Sequence, residues 1–302
     1  MGSIPITRSN FPPSTAVLAL LGSLVPLCAS GLEVTDPGQG PVTLPAGSAG
    51  ARELSGVTWA GGERYLAVSD QDAALYQLSV RLDRQAGTVL GAEVTGKVAL
   101  GQGTDLEAIA QAPDGTLWTA NEEALKGDGA TNRGAHGQGT PVRLQRLRGD
   151  GRGGWRPDGQ WAYRVDGAAP FFGRAPSGLV DLAVLPDGTL LALERAAGIV
   201  GMGGELPSAQ VGFRSRLYAV DLRGAMDTSR LAGLPASVAA VGKTLLWEAT
   251  FPGLNFEGIA LGPPVGAGER SLLLVSDDGN GLGQALYALR VQTGARAADR
   301  AR

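Results

Sequence analysis

Cysteine and histidine are almost missing from this chain of 302 residues, which has one of each, Cys28 and His136. Cys28 lies in an N-terminal apolar stretch, so a chain trimmed behind it has no disulfide, no thiolate metal site and no cysteine nucleophile. His136 sits in a Gly-rich stretch, Lys126 to Thr140, that shows no periodicity. A Ser-His-Asp machine would have to use it, and no Gly-x-Ser-x-Gly elbow occurs anywhere. The sequence therefore argues against an esterase of the α/β-hydrolase type. Lysine is scarce too: Lys97, Lys126 and Lys243 are the only three among 26 basic residues. The net charge of −3 gives no footprint for a nucleic-acid partner. No segment after Leu27 is long and apolar enough to span a membrane.

What is abundant is glycine, 47 residues, with 18 prolines and few charges. That composition suits a turn-rich, all-β protein. The N-terminus reads as a signal peptide. Arg8 is the only charge in the first 30 residues, Thr15 to Leu27 is apolar, and small residues follow at Cys28, Ala29, Ser30 and Gly31. A lipid anchor on Cys28 requires a small residue just before it, and Leu27 stands there. The layout predicts cleavage near Ser30 and a secreted or periplasmic protein. The expected domains are the signal peptide at 1–30, one β domain at 31–293 and a disordered tail at 294–302.

One phrase is written four times. It reads Glu53-Leu-Ser-Gly-Val-Thr-Trp, then Leu-Ala-Val-Ser69-Asp70. It returns as Asp105-Leu-Glu107-Ala-Ile-Ala, then Pro113-Asp-Gly-Thr-Leu-Trp-Thr-Ala-Asn121-Glu122. The third copy is Gly178-Leu-Val-Asp181-Leu-Ala-Val-Leu-Pro186-Asp-Gly-Thr-Leu-Leu-Ala-Leu-Glu194-Arg195. The fourth is Asn255-Phe-Glu257-Gly-Ile-Ala, then Leu-Leu-Leu-Val-Ser276-Asp277-Asp278. Each copy is a pair of apolar runs around a turn, ending in an acid or amide. Repeated strand pairs mean an array of like units.

Around the copies the pattern stays β. Arg64–Ser69 and Ala74–Leu82 predict a hairpin, and Pro141–Arg148 alternates as a half-buried strand does. Arg214–Leu222 and Gln284–Val291 resemble Ala74–Leu82, which makes the three equivalent outer strands of different units. Residues 31–50 read as extended, 149–159 as a surface loop, and 224–233 as a short helix. At about 40 to 45 residues a blade, the chain left after Ser30 accommodates about six propeller blades. The two extra, weakly marked blades are expected near 141–165 and 210–250. The expected fold is thus an all-β, six-bladed propeller, and a monomer.

The motifs Asn255-Phe-Glu-Gly-Ile-Ala-Leu-Gly-Pro, Leu-Leu-Leu-Val-Ser-Asp277-Asp and Leu-Pro186-Asp-Gly-Thr-Leu-Leu-Ala-Leu-Glu194-Arg together resemble the bacterial phytase-like family, often labelled "esterase-like activity of phytase". The resemblance covers roughly residues 50 to 292. It implies a secreted propeller, distantly similar to calcium-dependent propeller phytases.

The acids bear a physical reading beside that resemblance. Inner strands of a propeller line one axis, so acids at their ends gather there. Clustered carboxylates repel unless a cation or protons neutralise them. Asp70, Glu107, Asn121, Glu122, Glu194, Glu257 and Asp277 offer oxygen and no soft ligand, which suits calcium or magnesium. The structural alternative is that they cap strand ends or pair with arginine. Glu107 and Glu257 are the two copies that keep a carboxylate at the inner position, where Ser55 and Val180 stand in the others; Asp181 is displaced by one and points to the other face. Asp277-Asp-Gly-Asn-Gly281 superficially resembles a calcium loop, yet Ala285 and Ala288 occupy its later ligand positions. For an anionic substrate, Arg195, Lys243 and Arg214 lie beside repeat elements, with Arg216 near. When the second and third copies are aligned, Arg195 falls at the place of Glu122, which puts a cation among acids at one mouth of the channel.

Three functions are open on this reading. The first is calcium-dependent hydrolysis of a phosphate or other ester of a small anionic substrate, with Glu107 and Glu257 at the reacting centre. The second is a non-catalytic ligand- or protein-binding propeller. The third is a calcium-dependent lactonase of the gluconolactonase type. The few cations argue against phytate itself.

Overall fold

In the computed structural model the described residues are 32–45, 47, 50–69, 74–99, 108–129, 140–152, 155–167, 177–200, 210–277 and 283–293. The signal peptide, Asp70, Glu107, His136, most of the Asp277–Gly281 loop and the tail lie outside them.

Among the described residues there is no helix, and the strands form four antiparallel sheets. Strands β1 (Val34–Thr35) and β2 (Val42–Thr43) open the chain. The first blade holds β3 (Leu54–Gly61), β4 (Arg64–Ser69), β5 (Ala74–Leu82) and β6 (Val89–Ala99). The second holds β7 (Ile109–Gln111), β8 (Leu117–Ala120), β9 (Pro141–Gly149) and β10 (Trp155–Arg164). The third holds β11 (Ser177–Val184), β12 (Leu190–Val200), β13 (Gln210–Asp221) and β14 (Gly242–Pro252). The fourth holds β15 (Asn255–Val265), β16 (Glu269–Asp277) and β17 (Ala285–Gln292), and β1 and β2 pair with the outer side of β17. The arrangement is a β-propeller of four blades.

Four blades correct the expected six. The stretches 141–165 and 210–250 are not blades of their own. They are the two outer strands of sheets already begun, β9 and β10 beside β8, and β13 and β14 beside β12. The strands reach 12 residues in β13, so each blade consumes more chain than the usual repeat. The resemblance among Ala74–Leu82, Arg214–Leu222 and Gln284–Val291 holds, since β5, β13 and β17 are the third strands of their blades. Two local expectations fail. Residues 224–233 form turns rather than a helix, and the expected loop 149–159 runs into β10 from Trp155.

The two Pro-Asp-Gly-Thr turns form as their residues dictate. Gly115 and Gly188 take φ of 82° and 88°, and Asp114 and Asp187 each accept the amide two residues on. The expected extended segment 31–50 has a definite task. Beyond β1 and β2, Leu44 N donates to Gln284 O at 2.9 Å, and the Gln39 amide exchanges two hydrogen bonds with Val89 in the first blade. Residues 34–44 and β17 thus complete the fourth blade together, and Gln39 ties it to the first.

The core lies between blades. Leu54, Tyr65, Tyr76 and Leu78 of the first blade pack on Leu273, Val275 and Leu286 of the fourth. Phe251 of the third meets Phe256 and Tyr287 of the fourth, with ring centroids 4.8 and 5.0 Å apart. Trp118, Val142 and Tyr163 of the second pack on Leu179, Leu182 and Leu190 of the third.

Candidate functional site

One irregularity recurs in the innermost strands and shapes the site. Strand β3 carries one extra residue between Leu54 and Val57, β11 between Leu179 and Asp181, and β15 between Phe256 and Gly258. A bulge of this kind re-aims a side chain. In β15 the bulged residue is Glu257, and in β11 it is Val180. Just before each bulge the register sets Gly178 opposite Arg195 and Asn255 opposite Asp277.

These positions come together. Arg195 Nη2 donates to Glu257 Oε1 at 2.5 Å and to Glu122 Oε1 at 2.9 Å. Asn255 Nδ2 donates to the same Glu257 oxygen at 2.7 Å and to Asp277 Oδ2 at 3.2 Å. The third blade therefore supplies the cation, the second and fourth the acids. Gly178 makes the approach possible: a Cβ there would lie 2.4 Å from Glu122 Cγ. Burial works against the charge on Arg195, but the Glu257 and Glu122 carboxylates hold its pKa above the ordinary arginine value. Two atoms of the cluster, Arg195 Nε and Asn255 Oδ1, are buried without a hydrogen-bond partner among the described residues.

The other expected site residues lie apart from this cluster. Glu194, next to Arg195, points to the opposite side of its strand. It accepts from Tyr163 Oη at 2.7 Å and from the Asp166 amide at 3.0 Å, and it pairs with Lys243. Lys243 also meets Asp166 Oδ1 at 2.8 Å, and its ammonium lies 4.2 and 4.9 Å from the ring centroids of Tyr218 and Tyr163. Burial raises the Glu194 carboxyl against the pull of Lys243, and burial and Glu194 together push Tyr163 far up. Arg214 pairs with Glu248 at 2.7 Å on the outer strands, and Arg216 Nη1 donates to Gly167 O. Asn121 follows β8, half-buried, and its backbone N–H donates to Arg143 O at 3.4 Å.

Asp181 takes a place of its own. It is fully buried, and its carboxylate accepts the amides of Ile259 at 2.7 Å and Leu182 at 2.8 Å. The amides of Val57 and Ile109 also donate to it. One amide thus comes from each of β3, β7, β11 and β15, and Asp181 marks the axis where the four inner strands meet.

Calcium fits the described residues poorly. Glu122, Glu257 and Asp277 supply oxygen, yet Arg195 Nη2 stands where the Glu122 and Glu257 oxygens converge. No group of three or more acids, histidines or cysteines among the described residues could hold a metal ion. Sequence reasoning passed over Asn255 and Gly178 as site residues. Their signal was present, since each stands two or three residues ahead of the displaced acid or its counterpart in the repeat.

A family model described as "Phytase-like: Esterase-like activity of phytase" matches residues 95–280, more than half of the chain. No curated protein matches. Among solved structures, streptogramin B lyase is similar at 11% identity and a TM-score of 0.30, covering 86% of this chain and 98% of its own. The PQQ-bound aldose sugar dehydrogenase of Streptomyces coelicolor is similar at 15% identity and a TM-score of 0.27, covering 87% and 99%. Likenesses at these scores carry no argument about the activity of this chain.

Proposed function

The chain belongs to the phytase-like family, and from that premise we propose that it is an exported propeller binding a neutral or cationic polar ligand at the mouth of Glu122, Arg195, Asn255, Glu257 and Asp277. The charge balance carries this reading. Each cation the sequence offers for an anionic substrate is already engaged: Arg195 by Glu257 and Glu122, Lys243 by Glu194 and Asp166, Arg214 by Glu248. A polyanion would have to displace carboxylates that hold these groups. The mouth itself carries three carboxylates around one guanidinium, which favours a ligand with hydroxyls or positive charge.

A second reading is hydrolysis of an ester at the same mouth, which the family's description favours. In it Glu257, re-aimed by the bulge, takes a proton from the attacking water, and Arg195 stabilises the charge that develops on the ester oxygen. Neither reading requires calcium. Thermal shifts of the mature protein test both, with a panel of polyols, choline, inositol hexakisphosphate and calcium, alongside assays on p-nitrophenyl phosphate, p-nitrophenyl acetate and a lactone. A ligand at about a hundred times its Kd stabilises by about 2.7 kcal/mol. The reading expects a rise in Tm with a polyol or choline that Glu257→Gln loses. A rise with the hexakisphosphate alone, or with calcium alone, overturns it. Turnover that disappears in a folded Glu257→Gln establishes the second reading instead.

A further inference from the structure

At the turn end of the inner strands, opposite the acidic mouth, all four blades line a cavity of about 560 Å³, within the range of small-molecule sites. Its chemistry is that of the backbone. Val57, Leu182, Val184 and Ile259 border it, yet their side chains turn into the cores between blades. What the innermost strands leave toward the channel is an edge without a partner strand. On such an edge the N–H and C=O of every second residue stand free of the ladder.

Asp181 identifies those residues. The amides of Val57, Ile109, Leu182 and Ile259 face the channel, since all four donate to its carboxylate. Two residues on, with no shift of register between, Trp59, Gln111, Val184 and Leu261 turn their N–H and C=O to the same side, and all four line the cavity. The next residues agree in two of the strands. Ala112 N and Leu185 N donate away from the channel, to Thr116 O and Thr189 O of their own hairpins. A ring of backbone donors and acceptors thus surrounds the cavity, one step along from the ring that already holds a carboxylate.

Arg270 is the one charged residue among the described residues that line this cavity. Its Nε donates to Gly262 O at 2.8 Å, and its guanidinium lies 5.3 Å from the ring centroid of Trp59, which fixes it beside the ring. Among the described residues no carboxylate stands within ion-pair distance of it, in contrast to Arg195, Arg143 and Arg290. Burial works against its charge, and an anion would offset that loss of water.

We propose that this cavity binds a small polyhydroxy carboxylate, its carboxylate on the Arg270 guanidinium and its hydroxyls on the amides and carbonyls of Trp59, Gln111, Val184 and Leu261. A hydroxyl both donates and accepts, as each position of the ring does, and the carboxylate supplies the acid that Arg270 lacks. The site is separate from the mouth of Glu257 and does not rest on the function proposed there.

Calorimetric titration with gluconate tests the proposal, with gluconamide as its neutral counterpart and acetate as a carboxylate without hydroxyls. Wild type and Glu257→Gln are titrated side by side, so that binding at the acidic mouth is told apart. In Glu257→Gln gluconate should bind more tightly than gluconamide and acetate by about tenfold or more, with the affinity it has in wild type. Arg270→Gln should bring gluconate down to the level of gluconamide, and Arg270→Lys should retain part of the preference. Gln111→Pro removes one channel-facing N–H without breaking a ladder bond, so it should weaken gluconate and gluconamide alike, and more than Gln111→Ala does. If Arg270→Gln or Gln111→Pro does not fold, the lysine variant decides, together with added salt, which should weaken gluconate and spare gluconamide. Absence of gluconate binding, equal affinity for gluconate and gluconamide, acetate as tight as gluconate, or a loss on Glu257→Gln overturns the proposal.

Discussion

Asp181→Ala should be among the most damaging single changes in this protein, and its cost follows from the amides it would strand. The carboxylate accepts Ile259 N at 2.7 Å and Leu182 N at 2.8 Å, and the amides of Val57 and Ile109 also donate to it. A buried donor left without a partner costs about 1–3 kcal/mol. The Ile259 and Leu182 bonds alone then amount to about 2–6 kcal/mol, against a stability of about 5–15 kcal/mol for a typical domain. One term opposes this. Burial pushes the Asp181 carboxyl well above its usual range, so the folded state holds the proton more tightly than the unfolded chain does. The contribution of Asp181 to stability therefore falls as pH rises above about 4, the ordinary aspartate value. Asp181→Asn keeps one acceptor and cannot titrate. Urea titrations at pH 5 and pH 8 should rank wild type above Asn and Asn above Ala at pH 5, with the gap between wild type and Asn narrowing at pH 8. An alanine variant as stable as wild type would show that the axis does not depend on this carboxylate.

Three further outcomes follow from the same geometry. Arg195→Ala leaves the Glu257 and Glu122 carboxylates without their shared cation and should cost about 3–5 kcal/mol in urea titration; a loss below about 1 kcal/mol would mean that the ion pairs contribute nothing. Asp166 meets burial that raises its pKa, yet Lys243 and Tyr218 hold it below the usual value, so its stabilising effect is present above about pH 4 and lost as pH falls further; Asp166→Asn should flatten the acid limb of the Tm profile, and an unchanged limb would contradict that. Deleting residues 32–45 bares the edge of β17, so light scattering should show self-association, and a monodisperse monomer of unchanged Tm would deny β1 and β2 their closing role.

The repeat made the blades legible and the count deceptive. Four written copies correspond to the inner strand pairs of four blades, and the likeness of Ala74–Leu82, Arg214–Leu222 and Gln284–Val291 correctly marks third strands. The extra blades came from applying an average blade length to strands as long as β13. Alternation in Pro141–Arg148 announces a strand but not its partner, because pairing is not local. At the mouth, the alignment of Arg195 with Glu122 could be read from the copies, and the two side chains do meet. The approach of Glu257 to Arg195 could not, because it depends on an extra residue in β15 that no local pattern announces. Lys243 drew notice by its rarity. Its partners Tyr163 and Asp166 belong to the second blade's end, far from it in sequence, so its inward setting was hidden.

A fourfold repeat brings four equivalent positions to one axis, and identical side chains there would clash or repel. At the position after the inner acid the copies carry Gly56, Ala108 and Gly258, and only the third carries a large polar group, Asp181. The small residues are demanded by space: a Cβ on Gly258 would sit 2.6 Å from Ser55 O, a backbone atom that cannot yield cheaply. One carboxylate can serve the amides of four strands, whereas four carboxylates would repel at contact distance. The same arithmetic operates at the mouth, where the third copy again departs, placing Arg195 among Glu122, Glu257 and Asp277. The third blade thus supplies the asymmetry twice, once to fill the axis and once to neutralise the acids. The positions where the copies disagree, rather than those where they agree, are where this propeller acquires its charge pattern and its two unlike mouths.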